Sequence, residues 1–215
     1  MANRLIEAIK AQDSGRVAAL LAEQPELAEE RGDDGVSPLM LAHYYGVDAE
    51  LIRSARRSPL DVFEAATVGD LDRLRELLLA EAGLVTARSS DDTTALHFAA
   101  FFGQPEAALL LIEEGADPHA VSETFGSVTP LHSAAAVGNR DAVRALLDAG
   151  ADPNARQQGG FTALHAAAQN GDEELAEELL ARGADASAKT DEGKTAADFA
   201  TKEGHIALAA RLRGV

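Results

Sequence analysis

One ten-residue pattern recurs along this chain at a nearly constant step, and it constrains the fold more than any other feature. The pattern reads TALHFAAFFG at 94–103, TPLHSAAAVG at 129–138 and TALHAAAQNG at 162–171, with weaker copies at 37–46 and 195–204. The last four copies begin at Thr94, Thr129, Thr162 and Thr195, so the step between them is almost uniform. A period in this range indicates an array of stacked units, each contacting its neighbours.

Each copy carries the signals of a short helix with defined ends. A Ser or Thr opens it, where a side-chain oxygen can accept hydrogen bonds from free backbone N–H groups, and a Gly closes most copies. Pro38 and Pro130 occupy the first helical position, whose N–H needs no partner. Amphipathic segments follow three copies, at 105–114, 140–149 and 172–182. Each unit is therefore predicted to be a pair of helices.

The motifs T-P/A-L-H-x-A-A-x-x-G within the units and G-A-D-P-x-A between them resemble the ankyrin repeat family. The second motif stands at 115–120 and 150–155, and more loosely at 183–188. The resemblance is clear over 94–204 and implies an all-α solenoid of stacked helix-turn-helix units with β-hairpin-like finger loops. Residues 1–215 are then one domain of about seven helix pairs. The expected units are an N-terminal cap at 3–36, a shortened unit at 37–59, full units at 60–93, 94–128, 129–161 and 162–194, and a C-terminal cap at 195–215.

Two units depart from the period. The step from Gly46 to Gly69 is shorter than the period by about the length of one finger. We expect the second helix of this shortened unit to run almost directly into a helix that starts at Ser58–Pro59. Another finger is slightly longer than its counterparts, and Phe125 lies near its tip.

Candidate binding residues follow from the variable positions of the motif. In ankyrin-like proteins the pair before the closing Gly and the residue before the helix cap commonly contact partners in the concave groove. Six of the nine aromatic residues lie at such positions or on the long finger, and aromatic side chains are favoured in binding hot spots. Packing between neighbouring helices is the alternative for any one of them, and Phe63, Phe98 and Phe199 are expected in the core. The partner-binding candidates are Tyr44, Tyr45, Phe101, Phe102, Phe125, Phe161, Val137, Gln169 and Asn170.

The formal net charge of −17 at pH 7 restricts the class of partner. Such a chain repels phosphate backbones and anionic membranes, so we expect neither nucleic-acid nor membrane binding. Acidic finger residues beside the aromatic positions suggest a protein or peptide partner with basic and apolar side chains. The alternative is that turns favour Asp for local hydrogen bonds. The acidic finger residues are Asp33, Asp34, Asp91, Asp92, Glu123, Asp191 and Glu192.

The sequence offers little for catalysis, and we expect no enzyme, cofactor or metal site. His97, His132 and His165 recur once per unit and are expected to hydrogen-bond to the cap region, about 10 Å apart, too far to share a metal ion. The chain has no Cys, which excludes disulfides and thiolate metal sites. His43 beside Tyr44 is the least explained histidine, with a role in binding or pH sensing open to it.

The favoured interpretation is a non-enzymatic scaffold that binds a protein or peptide in its groove. A regulatory or inhibitory subunit that covers a basic enzyme is one alternative. A small-molecule or anion binder near the shortened unit is a weaker one, based on the local basic cluster of Arg53, Arg56 and Arg57. Lacking a signal-like start or an apolar run of about 18 residues, the chain is expected to be a cytoplasmic monomer. The excess of Arg over Lys, 15 to 4, hints at a GC-rich bacterial genome.

Overall fold

The computed structural model describes residues 4–33 and 35–214, and over these residues it contains fourteen α-helices in seven consecutive pairs. Asn3 of the expected cap unit and Asp34 of the first finger lie outside the described residues. The expected all-α repeat fold is confirmed. The helices are α1 (Arg4–Lys10), α2 (Ser14–Glu23), α3 (Pro38–Tyr45), α4 (Ala49–Ala55), α5 (Val62–Val68), α6 (Leu71–Ala80), α7 (Ala95–Phe101), α8 (Pro105–Glu113), α9 (Pro130–Ala136), α10 (Arg140–Asp148), α11 (Ala163–Asn170), α12 (Glu173–Ala181), α13 (Ala196–Lys202) and α14 (Ile206–Arg213).

The core runs continuously through the stack because the first helix of each pair packs on the first helix of the next. Leu96, Leu131 and Leu164 are fully buried at the same position of successive motifs. Ala residues a few positions later, such as Ala99 and Ala134, have no exposed surface. Small side chains at these positions let neighbouring helices approach closely while the leucines fill the space between them.

A Thr–His pair links each of the units 94–128, 129–161 and 162–194 to the next. The Nδ1 atom of His97 lies 2.8 Å from Thr94 Oγ1, and its Nε2 atom lies 3.0 Å from the carbonyl oxygen of Val128 in the following unit. His132 and His165 make the same two kinds of contact. The expected hydrogen bonds between these histidines and the caps are therefore confirmed, with an additional bond between units that the sequence did not reveal.

The fingers between units are short hairpin-like loops. Two of them close with single antiparallel bridges, between Arg88 and Thr94 and between Ser122 and Val128. Neighbouring fingers are also joined, since the N–H of Gln158 donates to the carbonyl of Gly126 at 2.7 Å. The fingers therefore form a connected row along the N-terminal ends of the first helices.

The row lacks a finger between α4 and α5, but α5 does not begin where the sequence predicted. It starts at Val62 rather than at Ser58–Pro59, because Asp61 caps it and forms a capping box with Glu64. Arg56 takes the place of the missing finger, with Nη1 and Nη2 donating to the Glu64 carboxylate at 2.7 and 3.0 Å.

Glu29 stabilises the short connection from the opposite side. Its carboxylate accepts from the backbone N–H groups of Arg57 and Ser58 at 2.7 and 3.0 Å. Together with a bond from the Ser58 hydroxyl, these interactions lower the pKa of Glu29 to about 2. The carboxylate is therefore ionised at neutral pH and holds the backbone where a finger would otherwise stand.

The first four helix pairs also contain a longer internal repeat that the motif spacing concealed. The segment 4–46 aligns with the segment 61–103 without a gap, which relates Asp13 to Asp70 and Gly46 to Gly103. Both Asp residues cap the second helix of their pair, and each of those helices is followed by a 3₁₀ helix, Pro25–Glu29 or Ala82–Thr86, at the same offset. The missing finger lies between these two repeated segments, in the connection from α4 to α5.

Candidate functional site

Four aromatic side chains form one cluster, two from each of the repeated segments 4–46 and 61–103. Tyr44 at the end of α3 stacks on Phe101 at the end of α7, with ring centroids 6.0 Å apart and planes 17° apart. Tyr45 lies edge-on to Tyr44, and Phe102 edge-on to Phe101, each at 5.1 Å. Offset-stacked and edge-to-face contacts are the favoured arrangements of aromatic rings. The sequence placed all four residues at variable positions, and the structure brings them together.

The cluster forms because α3 and α7 approach each other across α5. Helix α5 ends in the small residues Thr67 and Val68, and Thr67 is buried with its hydroxyl donating to the carbonyl of Phe63 at 2.9 Å. At the opposite ends of α3 and α7 the two preceding fingers touch, since a Cβ atom at Gly35 would lie 2.5 Å from Ser90 Oγ. The absent finger thus leaves room for units two and four to meet.

An open depression of about 510 Å³ adjoins the cluster. The Nδ2 atom of Asn139 in its wall donates to the carbonyl of Ala100 at 3.1 Å, which fixes the amide. The Nδ1 atom of His43 lies 3.1 Å from the carbonyl of Leu39, to which it donates a hydrogen bond. The depression is lined by His43, Tyr44, Phe101, Phe102, Gly103, Val137 and Asn139.

The candidates differ in how much surface they present. Tyr44 is 60% exposed and Val137 is 46% exposed. Phe101 and Phe102 are half-buried, and Tyr45 packs against the core. Tyr45 therefore supports the cluster from beneath, while Tyr44 and Val137 offer contact surface. Asn139 was not among the sequence candidates, although its place at the start of a second helix beside the variable pair was a usable signal.

The remaining candidates lie elsewhere. Phe125 is 60% exposed on the long finger and does not line the depression. Phe161 packs on Phe199, with ring centroids 4.9 Å apart, so Phe199 is half-buried in a surface pair rather than in the core. Gln169 is exposed, and Asn170 donates from Nδ2 to the carbonyl of Ala136 at 3.1 Å. Asn170 thus joins two units.

Phe63 and Phe98 are half-buried and pack against the core as expected, with their ring centroids 5.9 Å apart. They belong to α5 and α7, whose ends also frame the aromatic cluster. Their contact therefore helps to fix the position of α7 relative to α5.

The basic cluster expected near the shortened unit is largely neutralised. Arg53 pairs with Asp70 at 3.1 Å, and Arg56, whose side chain is 7% exposed, pairs with the fully buried Glu64. Neither these two residues nor Arg57 lines the depression. Arg53 and Arg56 therefore give no support to an anion site at this position.

The motif histidines are structural groups in this geometry. Burial lowers the pKa of His97 to about 4, and it also lowers the pKa values of His132 and His165. All three are neutral at pH 7. Within 4–33 and 35–214, no group of three or more His, Cys, Asp or Glu residues could hold a metal ion. No helix among the described residues is both long and apolar enough to cross a bilayer.

Comparison with known protein families agrees with this architecture. A family model of three ankyrin repeats matches residues 62–157 and, in a second overlapping match, residues 131–213. The chain belongs to the ankyrin repeat family. Ankyrin repeats generally mediate protein–protein interactions and are typically non-enzymatic. No curated protein matches the chain significantly.

Proposed function

We propose that this ankyrin repeat protein binds a protein partner non-enzymatically, with the aromatic depression as its principal contact. The observation that supports this most is the stacking of Tyr44 on Phe101 with Tyr44 still 60% exposed. Large apolar side chains that remain accessible beside a depression commonly mark an interaction site. The net charge of −17 favours a polypeptide over nucleic acid or an anionic membrane.

The depression is suited to binding because it is formed before the partner arrives. Tyr44 is held between Tyr45 and Phe101, and Asn139 is fixed by its bond to the Ala100 carbonyl. Restricted side chains lose little conformational entropy on association, so more of the contact energy contributes to affinity. Phe101 and Phe102 form the walls, Tyr45 supports Tyr44, and Val137 extends the apolar surface onto the next unit.

The remaining candidates extend the proposed contact surface. Phe125 on the long finger and Phe161 in front of α11 lie at the finger ends of the first helices, whereas the depression lies at their C-terminal ends. Helix α7 has seven residues, so about 10 Å separates its two ends at a rise of about 1.5 Å per residue. We propose Phe125, Phe161, Gln169 and Asn170 as secondary contacts for a large partner.

The test is capture of partners by the unchanged protein and by a Tyr44→Ala/Phe101→Ala variant, followed by affinity measurement with each captured protein. We expect the double variant to lose at least about 2 kcal/mol, or roughly 30-fold in Kd, as is typical of hot-spot residues. A matched control, Leu79→Ala/Ile206→Ala, removes two exposed apolar side chains that are 90% and 64% accessible and lie outside the depression.

Circular dichroism and urea unfolding establish that all three proteins are folded. Equal capture by the unchanged protein and the Tyr44→Ala/Phe101→Ala variant would refute the depression as the principal site. If the captured protein is an enzyme that loses activity on binding, this ankyrin repeat protein acts as a regulatory or inhibitory subunit.

A further inference from the structure

The edge of the molecule that carries the aromatic depression also carries many carboxylates. The depression lies where the first helices end, and the second helices begin at the same edge a few residues later. In α4, α6, α8, α10 and α12, the cap and the first three residues contain nine carboxylates and only two basic residues. We call these carboxylates the acidic row. They are Asp48, Glu50, Asp70, Asp72, Glu106, Asp141, Asp172, Glu173 and Glu174.

Helix-end preference alone does not account for the row. Negative side chains favour every helix N-terminus, yet the first turns of α3, α7, α9 and α11 contain no acidic residue. Those four helices begin at the finger edge and use Ser or Thr as the cap residue. The starts of these four helices therefore lack the carboxylates that the second helices carry, whereas α5 and α13 have Glu64 and Asp198 in their first turns.

The two basic residues within the row are already paired. Arg73 donates to the carbonyl of Leu60 at 2.9 Å and forms an ion pair with Glu76 at 3.1 Å. Arg140 pairs with Asp172 at 2.8 Å and also contacts Glu174. Other members of the row, such as Glu50 and Glu106, are exposed. Asp48, Glu50 and Glu106 form no ion pair among the described residues and keep accessible negative charge along this edge. The other six members of the row are in ion pairs with arginines: Asp70, Asp72, Asp141, Asp172, Glu173 and Glu174.

The acidic row meets the aromatic depression at Asn139. A second depression of similar size shares this residue with the first, and its wall contains the carboxylates of Asp141, Asp172 and Glu174 together with Arg140 and Arg144. A chain segment that places one side chain against the aromatic rings would place its neighbours against these carboxylates. The aromatic surface is therefore contiguous with a polar surface on which three carboxylates outnumber two arginines.

We propose that the occupant of the aromatic depression is a basic polypeptide segment, with a bulky apolar side chain against the rings and Lys or Arg side chains along the acidic row. This inference rests on the proposed function, whose partner it specifies. The exposed face of Tyr44 also attracts a cation by a cation–π interaction. Opposite charges accelerate encounter with such a segment and disfavour acidic competitors.

The experiment is selection from a phage-displayed library of random dodecapeptides at low salt, with the Tyr44→Ala/Phe101→Ala variant as the subtractive target. We expect selected peptides to combine a bulky apolar residue with at least two Lys or Arg residues. Their synthetic forms, lacking Tyr and Trp, can be titrated by intrinsic fluorescence, since Tyr44 and Tyr45 are the only tyrosines and the protein has no Trp. The signal therefore reports on the depression itself.

A Glu50→Gln/Glu106→Gln/Asp141→Asn variant isolates the contribution of charge. We expect it to bind the selected peptides at least about 10-fold more weakly at roughly 50 mM NaCl, with the difference shrinking at roughly 500 mM as screening increases. The matched control neutralises the same number of acidic residues on the fingers, with Asp33→Asn/Asp191→Asn/Glu192→Gln. That control is expected to stay within about two-fold of the unchanged protein because those residues lie at the other edge.

The outcomes separate this inference from the proposed function. Peptides that require Tyr44 and Phe101 but are neutral or acidic, or that bind the charge variant unchanged, overturn the basic segment and leave the aromatic depression as the contact. Peptides that bind without Tyr44 and Phe101, or a library with no enrichment over the subtractive target, overturn both.

Discussion

The motif histidine is the residue that most directly joins one unit to the next. In the three units that contain it, its Nδ1 atom contacts the cap threonine, while Nε2 reaches a carbonyl of the following finger, as His97 reaches Val128. The ring is buried and its pKa is lowered, so both bonds are made by neutral imidazole. A charged imidazolium would have to be desolvated at this position, which burial opposes.

The stability of the protein is expected to fall as pH decreases from 6.5 towards 4. Above pH 6.5 neither the folded nor the unfolded state protonates His97, so it adds no pH dependence. Below 6.5 the unfolded chain binds a proton that the folded protein, with its pKa near 4, does not bind. The free energy of unfolding therefore falls, by roughly 3 kcal/mol for His97 across this window, with further loss in the same direction from His132 and His165.

Urea unfolding at half-unit pH intervals measures this dependence. His97→Gln is expected to be less stable at pH 7 and to show a shallower slope as pH falls from 6.5 towards 4. His119→Gln, at an exposed turn residue, provides the control and should retain the slope of the unchanged protein. Glu29, whose pKa is lowered from 4.5 to about 2, adds a further loss of stability as the pH falls from 4.5 towards 2. An unchanged slope in His97→Gln would contradict the assignment.

At the scale of secondary-structure elements, α5 and the connection before it decide the shape of the site. The connection lacks a finger, and Arg56 occupies that space by pairing with the buried Glu64. Because the preceding fingers then touch at Gly35 and Ser90, α3 and α7 lie close enough for their terminal aromatic rings to stack. The proposed binding site therefore depends on the missing finger in the repeat pattern.

Restoring the missing finger should separate the rings. Insertion of a finger of ordinary length between Ser58 and Pro59 returns the step to that of the full units and places a loop where the fingers of α3 and α7 now meet. We expect the helices to form but the ring contact between Tyr44 and Phe101 to be lost, measured by nuclear Overhauser effects between their ring protons. The same insertion after Thr124 in the long finger should preserve the contact. Persistence of the Tyr44–Phe101 signal in the first variant would refute this account.

At the scale of the whole molecule, net charge and local ion pairs oppose each other. Exposed pairs between units, such as Arg182 with Asp148 at 2.7 Å, contribute about 0–1 kcal/mol each. The uncompensated charge of −17 repels itself along the entire stack. Since the Debye length falls from about 30 Å at 0.01 M to about 8 Å at 0.15 M, added salt relieves the long-range repulsion more than it weakens contacts of about 3 Å.

The Tm is therefore expected to rise between roughly 10 and roughly 200 mM NaCl. A variant with six exposed Glu→Gln substitutions has a net charge of −17 + 6 = −11 and should show a smaller rise. Scanning calorimetry of both proteins at matched pH makes the comparison, with KCl in place of NaCl as a check on ion-specific effects. A fall in Tm with salt would mean that the ion pairs between units dominate.

Local signals in the sequence were sufficient for the repeat architecture. The cap at Thr129, the proline after it and the left-handed glycine at Gly171 each act within a single helix, so their spacing alone predicted the helix pairs. The Thr–His contact was also predictable, because its partners lie within one helical turn of each other. For the same reason the variable pairs could be identified as candidates from the motif.

The tertiary structure alone decided which of those candidates form a site. Tyr44 and Phe101 are distant in sequence and belong to units that are not neighbours, so no local pattern could place one ring on the other. The start of α5 at Val62 and the neutralisation of Arg56 by Glu64 likewise depend on how the chain closes over a missing finger. Helix ends are set by residues close in sequence, whereas the aromatic depression and the charge around it are set by packing between distant segments.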